Sequence, residues 1–205
     1  MRIFFVRHGE SVANVDRVFS NSGWKHPLTN RGVTQAHALS RSLSGLEVKL
    51  IYTSPVMRAK QTAQVLAEHL GVPLQVTNAL REWDVGIYEG TSDPEGWVLH
   101  SQVQEQWFNH QAYEARMPGG ESFNDIQGRF LPFIQKLVED EKNSDLNFIL
   151  VGHGGLYMAM LPVIFKNVDF ALSQAQGFPN TGYALGESRA DGLHCISWCG
   201  LKLNA

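Results

Sequence analysis

Residues 3–10 read Ile-Phe-Phe-Val-Arg-His-Gly-Glu, an apolar run that ends in charged and polar residues. A short continuous apolar run is typical of a strand that is buried on both faces of a sheet. Residues 50–53 (Leu-Ile-Tyr-Thr) and 147–151 (Asn-Phe-Ile-Leu-Val) have the same character. Since helical patterns separate these runs, the sequence predicts an α/β fold: a three-layer sandwich with a mostly parallel central sheet and helices on both faces.

The helix after residues 50–53 is indicated by its periodicity and by the residues at its ends. Apolar residues between positions 56 and 70 recur at steps of three and four, which marks one face of a helix. Ser54 is expected to be the N-cap, Pro55 the first helical residue and Gly71 the stop signal. Other helices are expected at 30–43 after a Thr29 cap, from a capping box at Ser122–Asp125 onward and at 156–165, and strands at 183–185 and 193–198.

Composition and charge narrow the classes of partner. The chain has 205 residues, and we expect residues 1–205 to form a single domain. The formal net charge is −3, so neither nucleic acid nor a membrane is expected as a partner. No apolar run approaches the roughly 20 residues of a membrane span, and the N-terminus does not resemble a signal peptide. Cys195 and Cys199, four apart on an expected strand, cannot pair, which favours a cytoplasmic protein with reduced thiols.

Charged and polar residues follow each of the three buried runs. Arg7 and His8 follow the first run, His153 follows residues 147–151, and Arg58 lies on the first turn of the helix after residues 50–53. The carboxyl ends of parallel strands meet at one edge of a sheet, where ligands of such folds bind. The sequence therefore predicts a site with two histidines and two arginines at this edge.

The motifs around these residues resemble those of one family. Arg7-His8-Gly9-Glu10 is similar to the motif that names the histidine phosphatase superfamily, also called the phosphoglycerate mutase-like family. The further matches follow in the family's order and cover nearly the whole chain: Asn14, and the blocks 27–36, 54–63, 80–90, 118–122 and 151–155. A single Arg-His-Gly tripeptide often occurs by chance, whereas this ordered series of matches does not.

The resemblance implies a phosphomonoester hydrolase in which His8 is the nucleophile and becomes phosphorylated. Glu82 matches the general acid, which protonates the leaving oxygen and then activates water, so its pKa has to be raised. His153 corresponds to a histidine that donates to the transferring phosphoryl group. Arg7 and Arg58 suit such a site because two guanidinium groups disfavour the imidazolium form of His8 and neutralise phosphoryl oxygens.

Four further residues are expected to contact the phosphate or the substrate. Asn14 is expected to donate through its amide, and Ser20 and Gly23 belong to a loop that should pass the phosphate. Gly154 lies at the expected start of a helix, whose backbone N–H groups favour an anion. Residues 91–117 form the expected substrate-specificity region, and their single arginine, Arg116, is little charge for a second phosphate.

Several alternatives remain. A phosphoglycerate mutase is one, although the segment from Glu82 to His153 is compact and the family's mutases carry an insertion there. A non-catalytic module that binds phospho-ligands is another. A metal held by His8, His153 and Glu82 is disfavoured by the two arginines, so no metal and no cofactor are expected. The expected partner is a small-molecule phosphate monoester, and a homodimer is left open.

Overall fold

Strands and helices alternate along most of the chain in the computed structural model, which describes residues 1–23, 25–141 and 144–203. The strands are β1 (Arg2–Arg7), β2 (Val48–Thr53), β3 (Leu74–Val76), β4 (Asn147–Gly152), β5 (Tyr183–Arg189), β6 (Gly192–Trp198) and β7 (Leu201–Lys202). The α-helices are α1 (Val12–Asp16), α2 (Asn30–Ser42), α3 (Met57–Leu70), α4 (Pro94–His110), α5 (Phe123–Glu141), α6 (Gly154–Ile164) and α7 (Phe170–Gln176). Short 3₁₀ helices span Asn78–Leu80 and Gly86–Tyr88.

One sheet of seven strands runs through the described part of the chain, in the order β3-β2-β4-β1-β5-β6-β7. Strands β3, β2, β4 and β1 are parallel, whereas β5, β6 and β7 add an antiparallel extension. Strands β1 and β4 pair in register from Arg2 with Asn147 to Arg7 with Gly152. The predicted α/β class with parallel central strands is confirmed.

The central strands bury both of their faces, as the continuous apolar runs predict. Ile3 and Phe5 of β1 belong to a core shared with α4, α5 and α6. Phe4 and Val6 alternate with them and belong to a second core shared with α2 and α3. The sheet is therefore the middle layer between two layers of helices.

The predicted helix caps are partly correct. Thr29 caps α2, because its side chain accepts a hydrogen bond from the Gly32 N–H, and Ser122 forms the predicted capping box. The predicted start of α3 is wrong, because the helix begins at Met57 after a Val56 N-cap. The Ser54 hydroxyl accepts from the Val56 N–H instead and also forms a hydrogen bond with His153. Ser54 therefore contacts a residue of the predicted site and does not cap the helix.

Helix α2 fixes the turn that follows β1. The Glu10 carbonyl oxygen accepts from the Thr29 N–H at 3.0 Å, and the Thr29 hydroxyl lies 2.8 Å from a carboxylate oxygen of Glu10. A Cβ atom at Gly32 would lie 1.9 Å from that same Glu10 carbonyl oxygen. Glycine is thus required there for the helix to approach the turn and hold His8 in place.

No helix in the described ranges is both long and apolar enough to cross a membrane.

Candidate active site

A cavity of about 390 Å³ lies at the carboxyl ends of the parallel strands. Its floor is formed by residues that arrive from three directions: Arg7 ends β1 and His8 follows it, Arg58 comes from the first turn of α3, and Glu82 comes from the segment before α4. The two histidine rings, His8 and His153, lie with centroids 5.1 Å apart. The predicted convergence of two histidines and two arginines is confirmed.

The His8 ring has a defined tautomer. Its Nδ1 lies 2.7 Å from the Gly9 carbonyl oxygen, and because a carbonyl oxygen only accepts, Nδ1 carries the proton. The Nε2 atom therefore holds a lone pair, which accepts from Nε of Arg58 at 2.8 Å. Burial lowers the pKa of His8 well below its usual value, and the charges of Arg58 and Arg7 lower it further. His8 is neutral at pH 7, as nucleophilic attack requires.

The Arg58 guanidinium is held on three sides. Besides the bond to His8, NH1 donates to the Ser20 carbonyl oxygen at 2.5 Å, and NH2 lies 3.1 Å from Nδ1 of His153. Arg58 is only 5% exposed, and burial lowers the pKa of its guanidinium to about 10. A group with that pKa stays charged at pH 7, so Arg58 is a permanent cation beside His8, the predicted nucleophile.

His153 lies behind Arg58 and does not line the cavity. Its Nδ1 faces a guanidinium, which only donates, so Nδ1 accepts; Nε2 therefore carries the proton and donates to the Ser54 hydroxyl at 2.8 Å. Burial lowers the pKa of His153, followed by the charge of Arg58. Donation by His153 to a phosphoryl group stays a prediction, and it would need a second proton or a change of tautomer.

Arg7 presents a buried donor without a partner. Its NH1 donates to the Phe178 carbonyl oxygen at 2.5 Å, whereas its Nε is buried and has no hydrogen-bond partner in the described residues. A Cβ atom at Gly154 would lie 3.2 Å from this Nε, so glycine leaves the guanidinium room beside the start of α6. An unsatisfied buried donor on a cation is costly unless an anion binds, and this favours a phosphate oxygen.

The start of α6 holds Glu82. The Glu82 carboxylate accepts from the N–H groups of Gly155 at 2.9 Å and Leu156 at 2.6 Å, and also from Trp83 N–H. The N–H groups at this helix start were expected to favour the phosphate; this is wrong for Gly155 and Leu156, because they donate to Glu82, the predicted general acid. Gly154 itself lines the cavity. Burial raises the pKa of Glu82, although Arg58 and these hydrogen bonds oppose the rise.

Asn14 directs its amide NH₂ group at the cavity. Its Oδ1 accepts from the N–H and the hydroxyl of Ser11 and from Nδ2 of Asn180. Since the oxygen is engaged, the NH₂ group remains for a ligand, and Asn14 lines the cavity. Asn180 also donates to the His8 carbonyl oxygen, a link that no sequence motif indicated.

The loop at residues 20–23 is held in place by Glu89. The Glu89 carboxylate accepts from the N–H groups of Asn21 and Ser22, so it fixes the backbone of this loop. Ser20 lines the cavity and anchors Arg58 through its carbonyl oxygen. Gly23 adopts a φ of 75°, but it does not line the cavity, and its carbonyl oxygen faces the Met57 N–H instead. Gly23 is therefore not among the described residues that line the cavity, and its approach to the phosphate stays a prediction.

The upper wall of the cavity comes largely from α4. Trp97, His100 and Gln104 line it, whereas Trp107 is fully buried in the core. Arg116 does not line the cavity, because it pairs with Glu114 and Asp125 outside it. The additional cation at the rim is Arg17, which nothing in the sequence pattern singled out.

Residues 1–23, 25–141 and 144–203 contain no cluster of metal-ligating side chains. No group of three or more histidine, cysteine, aspartate or glutamate side chains there is placed to hold a metal ion.

The comparisons with known proteins bear on the family and the fold of this chain. Residues 3–199 match the family model described as histidine phosphatase superfamily (branch 1). A 2,3-bisphosphoglycerate-dependent phosphoglycerate mutase from Methylocella silvestris is 32% identical over 80% of this chain and 81% of its own. A putative phosphoserine phosphatase 2 from Hydrogenobacter thermophilus is also 32% identical, over 78% of this chain and 76% of its own.

A mycobacterial glucosyl-3-phosphoglycerate phosphatase has a similar structure, with a TM-score of 0.78, 25% identity and coverage of 96% of this chain and 98% of its own. The Methylocella mutase and this chain match over similar shares of their lengths, so chain length does not separate a mutase from a phosphatase. The motifs, the fold and the family model point the same way: the chain belongs to branch 1 of the histidine phosphatase superfamily.

Proposed function

We propose that this chain is a metal-independent phosphomonoester hydrolase that works through a phosphohistidine at His8. The observation that carries the proposal is the state of the His8 ring. Nδ1 is held as a donor by the Gly9 carbonyl oxygen, and the lone pair on Nε2 faces Arg58, while the charge of Arg7 also disfavours the imidazolium form of the ring. Such a ring is a neutral nucleophile in a pocket that attracts a phosphate dianion.

In the first step Nε2 of His8 attacks phosphorus, and the bond from phosphorus to the ester oxygen breaks. The electron pair of that bond goes to the leaving oxygen, which takes the proton of Glu82. Arg58 has to turn its Nε–H from His8 to a phosphoryl oxygen, while Arg7 offers its unpartnered Nε–H. Asn14 adds its amide NH₂ group. These donors stabilise the charge on the equatorial oxygens of the transition state.

In the second step water attacks the phosphorus of phosphohistidine. Glu82 is now a carboxylate and accepts the water proton, the bond from Nε2 to phosphorus breaks, and inorganic phosphate leaves with His8 neutral again. One residue can serve as acid and then as base only if its proton affinity lies near the working pH. The raised pKa of Glu82 moves it in that direction.

A mutase is the second candidate, because mutases are among the relatives that share 32% identity with this chain. A mutase must hold a bisphosphorylated carboxylic acid, which carries three anionic groups. Among the described residues, the arginines that line the cavity are Arg7 and Arg58 at its floor and Arg17 at its exposed rim, and no lysine lines it. This charge suits one phosphate better than three anions, and it favours hydrolysis.

The nucleophile can be tested by trapping. A phosphoramidate is stable in alkali and labile in acid, so a rapid alkaline quench with labelled substrate should give one labelled peptide, the one containing His8. His8→Ala should abolish both turnover and labelling while the far-UV circular dichroism and the melting temperature stay close to wild type. Label on Ser11, Ser20 or Ser54, or a wild-type rate in His8→Ala, would refute the assignment.

The reaction class is tested with 3-phosphoglycerate. We expect release of inorganic phosphate and little 2-phosphoglycerate, with or without 2,3-bisphosphoglycerate as a primer. Rapid primer-dependent interconversion of the two phosphoglycerates would make the mutase the correct function.

A further inference from the structure

Two neutral polar side chains of α4 face the cavity above the phosphate floor. His100 and Gln104 lie four residues apart, so they share one face of the helix, and both line the cavity. Neither side chain has a hydrogen-bond partner within the described ranges, although both are half-buried. Half-buried polar groups that face an open cavity without partners are available to a ligand.

The His100 ring is fixed by aromatic neighbours. It stacks on Trp83 at 4.5 Å with an interplanar angle of 26°, and it also contacts Phe19 and Trp97. Burial lowers the pKa of His100 to about 4, so the ring is neutral at pH 7. A neutral imidazole offers one donor and one acceptor, and the Gln104 amide offers both as well. A hydroxyl group, which also donates and accepts, complements either side chain.

A carboxylate fits this wall poorly, because it can only accept hydrogen bonds and brings a charge. The cation above the floor is Arg17, which is exposed at the rim. Its guanidinium lies 5.9 Å from the centre of the Trp97 ring, and its carbonyl oxygen accepts from Trp97 Nε1 at 2.9 Å. Arg17 therefore belongs to the rim, and the two α4 side chains that line the cavity below it, His100 and Gln104, are uncharged.

On the basis of the proposed function, we propose that the alcohol half of the substrate is an uncharged polyol or sugar whose hydroxyl groups bind His100 and Gln104. The cavity of about 390 Å³ limits this alcohol to a small molecule. The two α4 side chains are then specificity residues of the hydrolase, and they give the predicted specificity region 91–117 two defined members.

The test uses two esters that share the configuration at C2 and differ in one group, sn-glycerol 1-phosphate with a CH₂OH and D-3-phosphoglycerate with a carboxylate, alongside p-nitrophenyl phosphate. We expect a higher kcat/KM for glycerol phosphate than for phosphoglycerate. His100→Phe keeps the ring stack and removes both nitrogens, and Gln104→Leu removes the amide. Each should lower kcat/KM for glycerol phosphate relative to the aryl ester by about tenfold, the usual value of one hydrogen bond in a partly buried site.

Matched controls lie on the same helix. His110→Phe and Gln102→Leu make the same substitutions at exposed positions of α4 that do not line the cavity, and they should leave the ratio unchanged. A wild-type preference for phosphoglycerate that Arg17→Gln removes would overturn the proposal, as would an equal loss on both esters in His100→Phe and Gln104→Leu. If the enzyme hydrolyses p-nitrophenyl phosphate but has the same kcat/KM for the other two esters, this inference fails and the proposed function stands. If no ester is hydrolysed, the proposed function fails with it.

Discussion

Replacing Glu82 by glutamine separates the two roles of its carboxyl group, one in catalysis and one in the fold. Three backbone N–H groups, from Trp83, Gly155 and Leu156, point at its two oxygens. An amide has one oxygen, so the donor that faced the lost oxygen meets another donor. A buried donor without an acceptor costs about 1–3 kcal/mol, and the removal of a buried charge offsets part of that cost. The variant should fold with a lowered melting temperature.

The catalytic loss in Glu82→Gln should depend on the leaving group. General acid catalysis contributes roughly 10²- to 10⁴-fold, so kcat for an alkyl ester such as glycerol phosphate should fall by about that factor. p-Nitrophenolate leaves without a proton, so the loss of kcat on its ester should be far smaller. The assay is kcat for both esters with wild type and variant, beside thermal melts. An equal loss on both esters would show that Glu82 does not protonate the leaving oxygen.

The raised pKa of Glu82 also predicts how the activity and the stability of the wild type change with pH. The folded-state pKa of Glu82 is raised by burial, so kcat/KM of the wild type on the alkyl ester should fall as pH rises through that pKa and the acid is lost. The folded state also holds this proton more tightly than the unfolded chain does. Its contribution to stability is therefore present at low pH and is lost as pH rises from the unfolded pKa through the folded pKa. Glu82→Gln should lack both dependences.

Three further outcomes are expected. Hydrolysis of p-nitrophenyl phosphate should survive EDTA, because arginines supply the positive charge; loss of activity that zinc or magnesium restores would contradict this. Without a ligand, Arg58 holds Nδ1 of His153 as an acceptor that carries no proton. Binding of sulfate, a dianion that exchanges no proton near pH 7, should therefore be accompanied by the uptake of as much as one proton by the protein. Calorimetry in Tris and in PIPES measures this uptake, and uptake retained in His153→Asn would refute His153 as the group that takes up the proton. Glu89→Ala should raise KM by about tenfold and change kcat less, because the loop that anchors Arg58 through Ser20 loses its fixed carboxylate; an unchanged KM would show that the loop holds without it.

The parts of the site that could be predicted lie at the ends of buried strands. A continuous apolar run fixes where a parallel strand ends, and the topology brings such ends together. This is why Arg7, His8 and His153 were placed correctly, and Arg58 with them, since it follows a third strand by one helical turn. The α/β class with parallel central strands was predicted from the same apolar runs.

The parts that could not be predicted depend on which polar groups compete for one partner. The N–H groups at the start of α6 were available to phosphate or to Glu82, and no periodicity decides between two anions. The observed start of α3 lies later than the predicted one for a similar reason, because the Ser54 hydroxyl forms a hydrogen bond with His153. Gly23 lies in an irregular loop, where the path of the backbone depends on Glu89, far away in sequence.

The pairing of β1 with β4 brings Arg2 beside Asn147 and His8 beside Gly152, so the nucleophile and its surroundings come from segments about 145 residues apart. Closing a loop of that length is slow relative to forming the helices between the two strands. On refolding, helical circular dichroism should return before the proposed hydrolysis of p-nitrophenyl phosphate does. Enzymatic activity is for this reason a late reporter of folding, because the centre of the sheet has to assemble before a single catalytic group is in place.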